Sequence, residues 1–152
     1  MTSQTTNQIT TLVEESDIAR LLTRYAWCVD DKRWEDWAAC FTDNTVVTMP
    51  FASHSGRADL ADWGRRALEP FEITHHMSTN FEIVIDGDHA AGRSKFQAVH
   101  VPAAARTDQH FIESGTYHWE FVRTPEGAWL ISACTIDVSW TTGQDETGLA
   151  GG

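Results

Sequence analysis

The sequence predicts an α+β fold, with three N-terminal helices packed on one face of a curved antiparallel sheet. Apolar residues recur at helical spacing through the first half of the chain. From Ile73 onward they alternate at the period of a strand. Turn chemistry then separates the alternating runs, with Asp86-Gly87-Asp88 after the first and Thr124-Pro125-Glu126-Gly127 between the last two.

The first helix is placed over Thr11 to Val29, where Ile18, Leu21, Leu22, Tyr25 and Val29 form one stripe. Thr11 and Glu14 have the spacing of a capping box at its start. Tyr25 lies on the apolar stripe, so its hydroxyl is carried inward and needs a partner or a cavity. Asp30 and Asp31 follow. A carboxylate at a helix C-terminus opposes the macrodipole, so something else must favour it there. Asp31 is expected to cap a second helix, Lys32 to Phe41, with Trp34, Trp37, Ala38 and Phe41 inward. Asp30 has no such role and is either a solvated loop carboxylate or part of a site. Thr42-Asp43-Asn44 is expected to break the helix, and Thr45 to Met49 forms a short strand stopped by Pro50. Phe51 to Gly56 reads as a loop holding His54, and Arg57 to Leu68 as a third helix.

Four strands complete the chain: Ile73 to Ile85, Ala90 to Val101, His110 to Arg123 and Ala128 to Trp140. Neighbouring side chains on a strand face opposite ways, so His75 and His76 cannot both look inward unless a bulge intervenes. The polar beginning of the chain, before Thr11, reads as a frayed arm. The Gly-rich end from Thr141 reads as mobile, leaving one domain over 1–152 with an ordered core over about 11–141.

The 152 residues carry a formal charge of −11, which argues against nucleic acid or an anionic membrane as partner. No apolar run is long enough to span a bilayer, and the N-terminus lacks the basic start and apolar core of a secretory signal. Cys28, Cys40 and Cys134 have no metal spacing and read as reduced core residues of a cytoplasmic protein.

Common catalytic motifs are missing, and adjacent His75 and His76 are a poor metal pair, so no metal and no cofactor are expected. What remains is acid–base chemistry. A carboxylate beside a histidine fixes its tautomer, and such a pair in an apolar pocket can take a proton and return it elsewhere. A tyrosine hydroxyl in the same pocket can polarise a carbonyl. His100 ends a strand and faces either the pocket or solvent, His110 and His118 have an ordinary surface reading, and Glu113, on a strand with Tyr117, is a minor inward candidate.

The order of fragments carries a resemblance. Tyr25-x4-Asp30 with Trp34 and Phe41-Thr42-Asp43-Asn44 come first. Then follow His76-Met77-x-x-Asn80, Ile85-Asp86-Gly87-Asp88-x-Ala90, Gly115-x-Tyr117, Arg123, Gly127-x-Trp129 and Ile131. This set, spanning Asp17 to Trp140, resembles SnoaL-like proteins of the nuclear transport factor two-like superfamily. The resemblance implies a cone, with a curved sheet wrapped around the helices and a deep pocket between them. It implies His76 rather than His75 as the inward histidine, with Asp30 and Tyr25 beside it as in bile-acid dehydratases. Scytalone dehydratase has an aspartate before Lys-x-Trp, matching Asp30, Lys32 and Trp34, and two histidines matching His76 and His100. Its tyrosine just before the aspartate is Val29 here, and Tyr25 stands in.

The resulting candidates are His76, Asp30, Tyr25 and His100 for chemistry. Trp27, Trp63, Met49, Phe51, Asn80 and Tyr117 are the candidates for lining a mostly apolar, cyclic small-molecule substrate. The expected activity is a dehydratase, isomerase or cyclase. The alternative is a binding or accessory subunit that keeps the fold without chemistry. An epoxide hydrolase would need an Asp–Arg–Asp cluster that cannot be placed. Relatives pair through the outer face of the sheet, which implies a homo-oligomer, a dimer or higher.

Overall fold

A computed structural model describes residues 2–145. Three helices, α1 (Ser3–Asp30), α2 (Trp34–Ala38) and α3 (Leu60–Leu68), accompany six strands. The strands are β1 (Phe41–Met49), β2 (Ala52–Ser55), β3 (Ile73–Asp86), β4 (His89–Val101), β5 (Phe111–Arg123) and β6 (Trp129–Gly143). They form one curved, unclosed sheet in the order β2-β1-β6-β5-β4-β3. All pairings are antiparallel except β1 with β6, which run parallel.

Several boundaries differ from the sequence expectation. Helix α1 starts at Ser3 with Thr2 as its N-cap, so the expected frayed arm is helical. Thr11 lies inside the helix, its hydroxyl donating to the Asn7 carbonyl at 3.1 Å rather than capping. Once a helix is nucleated each further residue adds a hydrogen bond, so a polar extension without an apolar stripe still propagates. Asp31 does not cap α2. Arg33 holds that position, and Asp31 accepts from the Arg33 guanidinium instead. Thr42, Asp43 and Asn44 belong to β1, where the register with β6 is irregular between Phe41 and Val46. The predicted loop at Phe51 to Gly56 contains β2, paired back on β1. Of the expected mobile tail, Thr141 to Gly143 belong to β6, Gln144 and Asp145 follow without regular structure, and residues 146–152 lie outside the described residues.

The end of α1 matters most for the site. The Lys32 N–H donates to the Val29 carbonyl at 3.0 Å and the Arg33 N–H to the Cys28 carbonyl at 2.8 Å. This pair is the Schellman arrangement, with Lys32 in the left-handed position at φ 56°. The Lys32 ammonium is tied to the Phe71 carbonyl. The helix therefore stops sharply, and Asp30 is its last residue.

Strand β3 carries the second device. Its register with β4 slips between Thr79 and Glu82, where Asn80 sits at φ 56°. Such a bulge adds one residue and reverses which side chains face in. Before it Thr74, His76 and Ser78 turn inward. After it Ile83 and Ile85 do. The β3–β4 hairpin closes through Gly87, whose φ of 63° supplies the turn.

The core lies between the helices and the concave face of the sheet. Ile18, Leu22, Phe41, Trp119, Phe121 and Ile131 are buried there. Cys28, Cys40 and Cys134 are buried free thiols, and burial pushes Cys40 up to about 11, which suits packing rather than nucleophilic attack. Helix α3 approaches α2 closely because Gly64 has no side chain. A Cβ built there would lie 2.7 Å from the Trp37 ring. Gly64→Val should therefore lower stability by about 1–3 kcal/mol in urea unfolding, from overpacking against an indole with little room to move.

Candidate active site

The last turn of α1 and the first residues of β3 meet at Asp30. Its carboxylate accepts from the His76 backbone N–H at 2.9 Å and from the Thr74 hydroxyl at 2.9 Å. It also lies 2.7 Å from the His76 Nδ1. A carboxylate accepts, so Nδ1 carries the proton, and in the neutral ring the lone pair is on Nε2. Burial works against the charged form of Asp30. The bonds from the His76 ring, the His76 backbone and Thr74 outweigh it, and the pKa falls below the usual carboxylate range. These donors also answer the helix dipole that a C-terminal carboxylate opposes.

His76 opens into a hollow between the helices and the sheet, with about 60 Å³ of free space. Tyr25 and Val29 from α1, Trp34 and Trp37 from α2, and His100 and Tyr117 from the sheet form its floor and walls. Half-buried Met49, Trp63 and Leu68 stand at the mouth. The space is narrow, so a ring-sized ligand must displace side chains at that mouth.

His100 is 1% exposed and stands edge-on to His76, ring centroids 5.6 Å apart. Burial first, then the nearby His76, lowers its pKa to about 4, so the ring is neutral at neutral pH. Its Nδ1 is buried with no hydrogen-bond partner among the described residues, as is the Trp37 Nε1. Tyr25 and Tyr117 are packed together, and burial raises both hydroxyls well above their ordinary range.

The structure thus gathers His76, Asp30, Tyr25, His100, Met49, Trp63 and Tyr117 at one place. Three predicted lining residues lie elsewhere. Trp27 is 61% exposed, because two positions beyond Tyr25 turns a helical side chain about 200° away. Phe51 is 68% exposed at the β1–β2 turn. Asn80 sits on the outer surface, where the bulge takes it out of the inward stripe. His75 and His118 are exposed, as alternation requires, and His110 is half-buried, its ring donating to the Thr107 carbonyl at 2.7 Å. Sequence reasoning underweighted Glu113, which lines the hollow. Its even spacing from Tyr117 was the available signal.

The SnoaL-like domain profile matches residues 10–135. The chain belongs to the SnoaL-like family. The uncharacterized protein Rv2910c of Mycobacterium tuberculosis is 31% identical over 118 residues, covering 76% of this chain and 78% of that one. Among solved structures, a protein provisionally described as a scytalone dehydratase, from Novosphingobium aromaticivorans, is 25% identical. It aligns with a TM-score of 0.81 over 91% of this chain and 92% of that one. The LinA-type3 hexachlorocyclohexane dehydrochlorinase of Novosphingobium barchaimii is 16% identical, with a TM-score of 0.78 over 91% and 95%. At that identity the likeness shows the fold alone. This SnoaL-like chain therefore has the mixed α+β cone, a fold of the kind that binds small ligands in its interior. No helix among the described residues is long and apolar enough to cross a membrane.

The depressed Asp30 pKa makes a stability prediction. Its stabilisation is complete above the unfolded-state value near 4 and disappears as pH falls through the lower folded-state value. Asp30→Asn should cost about 1–3 kcal/mol at pH 7, and the gap to wild type should close in acid. Urea midpoints measured from pH 7 down to pH 3 check this.

Proposed function

We propose that this SnoaL-like chain is a cofactor-independent acid–base enzyme, a dehydratase, isomerase or cyclase acting on a small cyclic, mostly apolar carbonyl or hydroxy compound. The observation that carries the reading is the Asp30–His76 contact at 2.7 Å on the wall of an apolar hollow. With Nδ1 donated to Asp30, Nε2 takes a proton from a carbon next to a carbonyl. The imidazolium so formed faces a carboxylate that two further donors, the Thr74 hydroxyl and the His76 backbone N–H, hold in place. Tyr25 and neutral His100 then serve as hydrogen-bond donors to the developing oxygen charge. The relatives provisionally named for dehydration and named for dehydrochlorination lend support, since both are eliminations in which carbon loses a proton.

A non-catalytic binding subunit would need the hollow but not a histidine aimed into it by a buried carboxylate. The same experiment separates the two. A screen of cyclic hydroxy-ketones should find turnover in wild type that falls by at least about 100-fold in His76→Ala with the fold intact by circular dichroism. Equal turnover in both would remove His76 as the base. Binding without turnover in either would favour the accessory reading.

We also infer that the chain pairs through the outer face of its sheet, in the cytoplasm and without nucleic acid or membrane. Met77 and Trp140 are exposed and lie in one cross-strand row, Met77–Gln97–Ser114–Trp140, with exposed Ile73 nearby. Apolar side chains grouped on one sheet face fit an isologous contact. Light scattering should give a dimer or larger at micromolar concentration, and Trp140→Asp should give a monomer.

A further inference from the structure

Register sets a second group opposite His76. His76 on β3 pairs with Ala98 on β4, and Ala98 pairs with Glu113 on β5. All three line the same hollow. Two interstrand steps put the His76 and Glu113 backbones about 10 Å apart. Only the methyl group of Ala98 stands in that row between them. The row thus carries a base at one end and a carboxyl group at the other, across a single methyl group.

Glu113 is 9% exposed. Burial first, then the nearby Asp145 carboxylate, raise its pKa to about 7. Apart from the base itself, the other titratable groups named above that line the hollow keep one protonation state near neutrality. Tyr25 and Tyr117 hold their protons far too tightly, and His100 is already neutral. A carboxylic acid kept neutral in an apolar site donates a hydrogen bond that a solvated carboxylate cannot.

We propose that Glu113 is the acid of the site, its carboxyl group hydrogen-bonding the carbonyl oxygen of a cyclic ketone while His76 Nε2 removes a proton from the adjacent carbon. This rests on the reading of His76 as the base. In the step, the carbon–hydrogen bond breaks and its proton moves to Nε2. The electron pair becomes the carbon–carbon double bond of an enol, and the carbonyl oxygen takes the Glu113 proton. Glu113 is left as carboxylate and His76 as imidazolium. Reversal, with the His76 proton exchanging with solvent, restores both. The substrate class is therefore a ring ketone whose oxygen points to β5 and whose acidic carbon points to β3.

The test uses 2-tetralone, whose C1 protons are readily removed, with the full chain in D₂O. Proton NMR follows deuterium uptake at C1, and tryptophan fluorescence follows binding at pH 6 and pH 8. Wild type should accelerate exchange over buffer, and His76→Ala should abolish the acceleration. Glu113→Gln should cut it by about 100-fold. Wild-type binding should weaken roughly tenfold from pH 6 to pH 8 as Glu113 ionises, whereas Glu113→Ala should bind weakly and equally at both.

Exchange lost in His76→Ala but unchanged in both Glu113 variants, with the same pH dependence of binding in all, would overturn the Glu113 assignment and leave the base standing. Exchange unaffected by His76→Ala would sink the base instead, and the Glu113 contact would then stand or fall on the binding arm. No tetralone binding by wild type at millimolar concentration would overturn the substrate class. Melting temperature gives an independent check on the buried carboxyl. Its folded-state pKa is raised, so stability is full below the ordinary carboxyl value near 4.5 and is lost as pH rises from there through about 7. Glu113→Gln should melt higher than wild type at pH 8, and the gap should close as pH falls to about 4.

Discussion

The whole arrangement hangs on a carboxylate placed at the wrong end of a helix. Asp30 ends α1, where the carbonyl ends of the peptide dipoles repel negative charge. It is held there by a backbone N–H, a hydroxyl and an imidazole, all from Thr74 and His76 on β3. One contact therefore does two things. It fastens the first helix to an edge strand, and it turns one ring nitrogen of His76 toward the hollow. The Schellman stop at Lys32 and Arg33 is what allows Asp30 to be last, since another helical turn would carry the chain past β3.

The rest of the hollow shows the same exchange of stability for readiness to act. His100 is buried neutral with an unpartnered Nδ1, and the Trp37 Nε1 is likewise unpartnered among the described residues. Glu113 is buried where its charge is penalised. Groups left unsatisfied inside a protein cost about 1–3 kcal/mol each, and a core built for stability alone would replace them with hydrocarbon. Their grouping around one narrow space, with His76 on its wall, supports the proposed acid–base role. The aromatic residues around them lower the local dielectric, which strengthens each hydrogen bond made there.

Much of this could be read from the chain itself. The strands from Ile73 onward were legible to within a few residues, because alternation and turn residues agree over long runs. The Tyr25, Asp30 and His76 grouping came from a resemblance, since nothing local says that a helix end and a strand forty residues later will touch. The missed features have identifiable causes. Asn80 takes a left-handed conformation that asparagine tolerates, and its bulge reverses the strand's parity, which simple alternation does not anticipate. Trp27 was legible from helical geometry and was assigned to the wrong face. The parallel pairing of β1 with β6 is set by the sheet as a whole, and no local pattern encodes it. Asp31 had the composition of a cap, yet the sharp stop of α1 left that place to Arg33.

The central claim concerns which nitrogen of His76 bears the proton. Nitrogen-15 NMR of histidine-labelled protein near pH 8 reads it directly. The account predicts a protonated Nδ1, strongly deshielded by the Asp30 carboxylate, and a bare Nε2. That deshielding should vanish in Asp30→Asn. A His76 ring found with its proton on Nε2, insensitive to the change at Asp30, would contradict it.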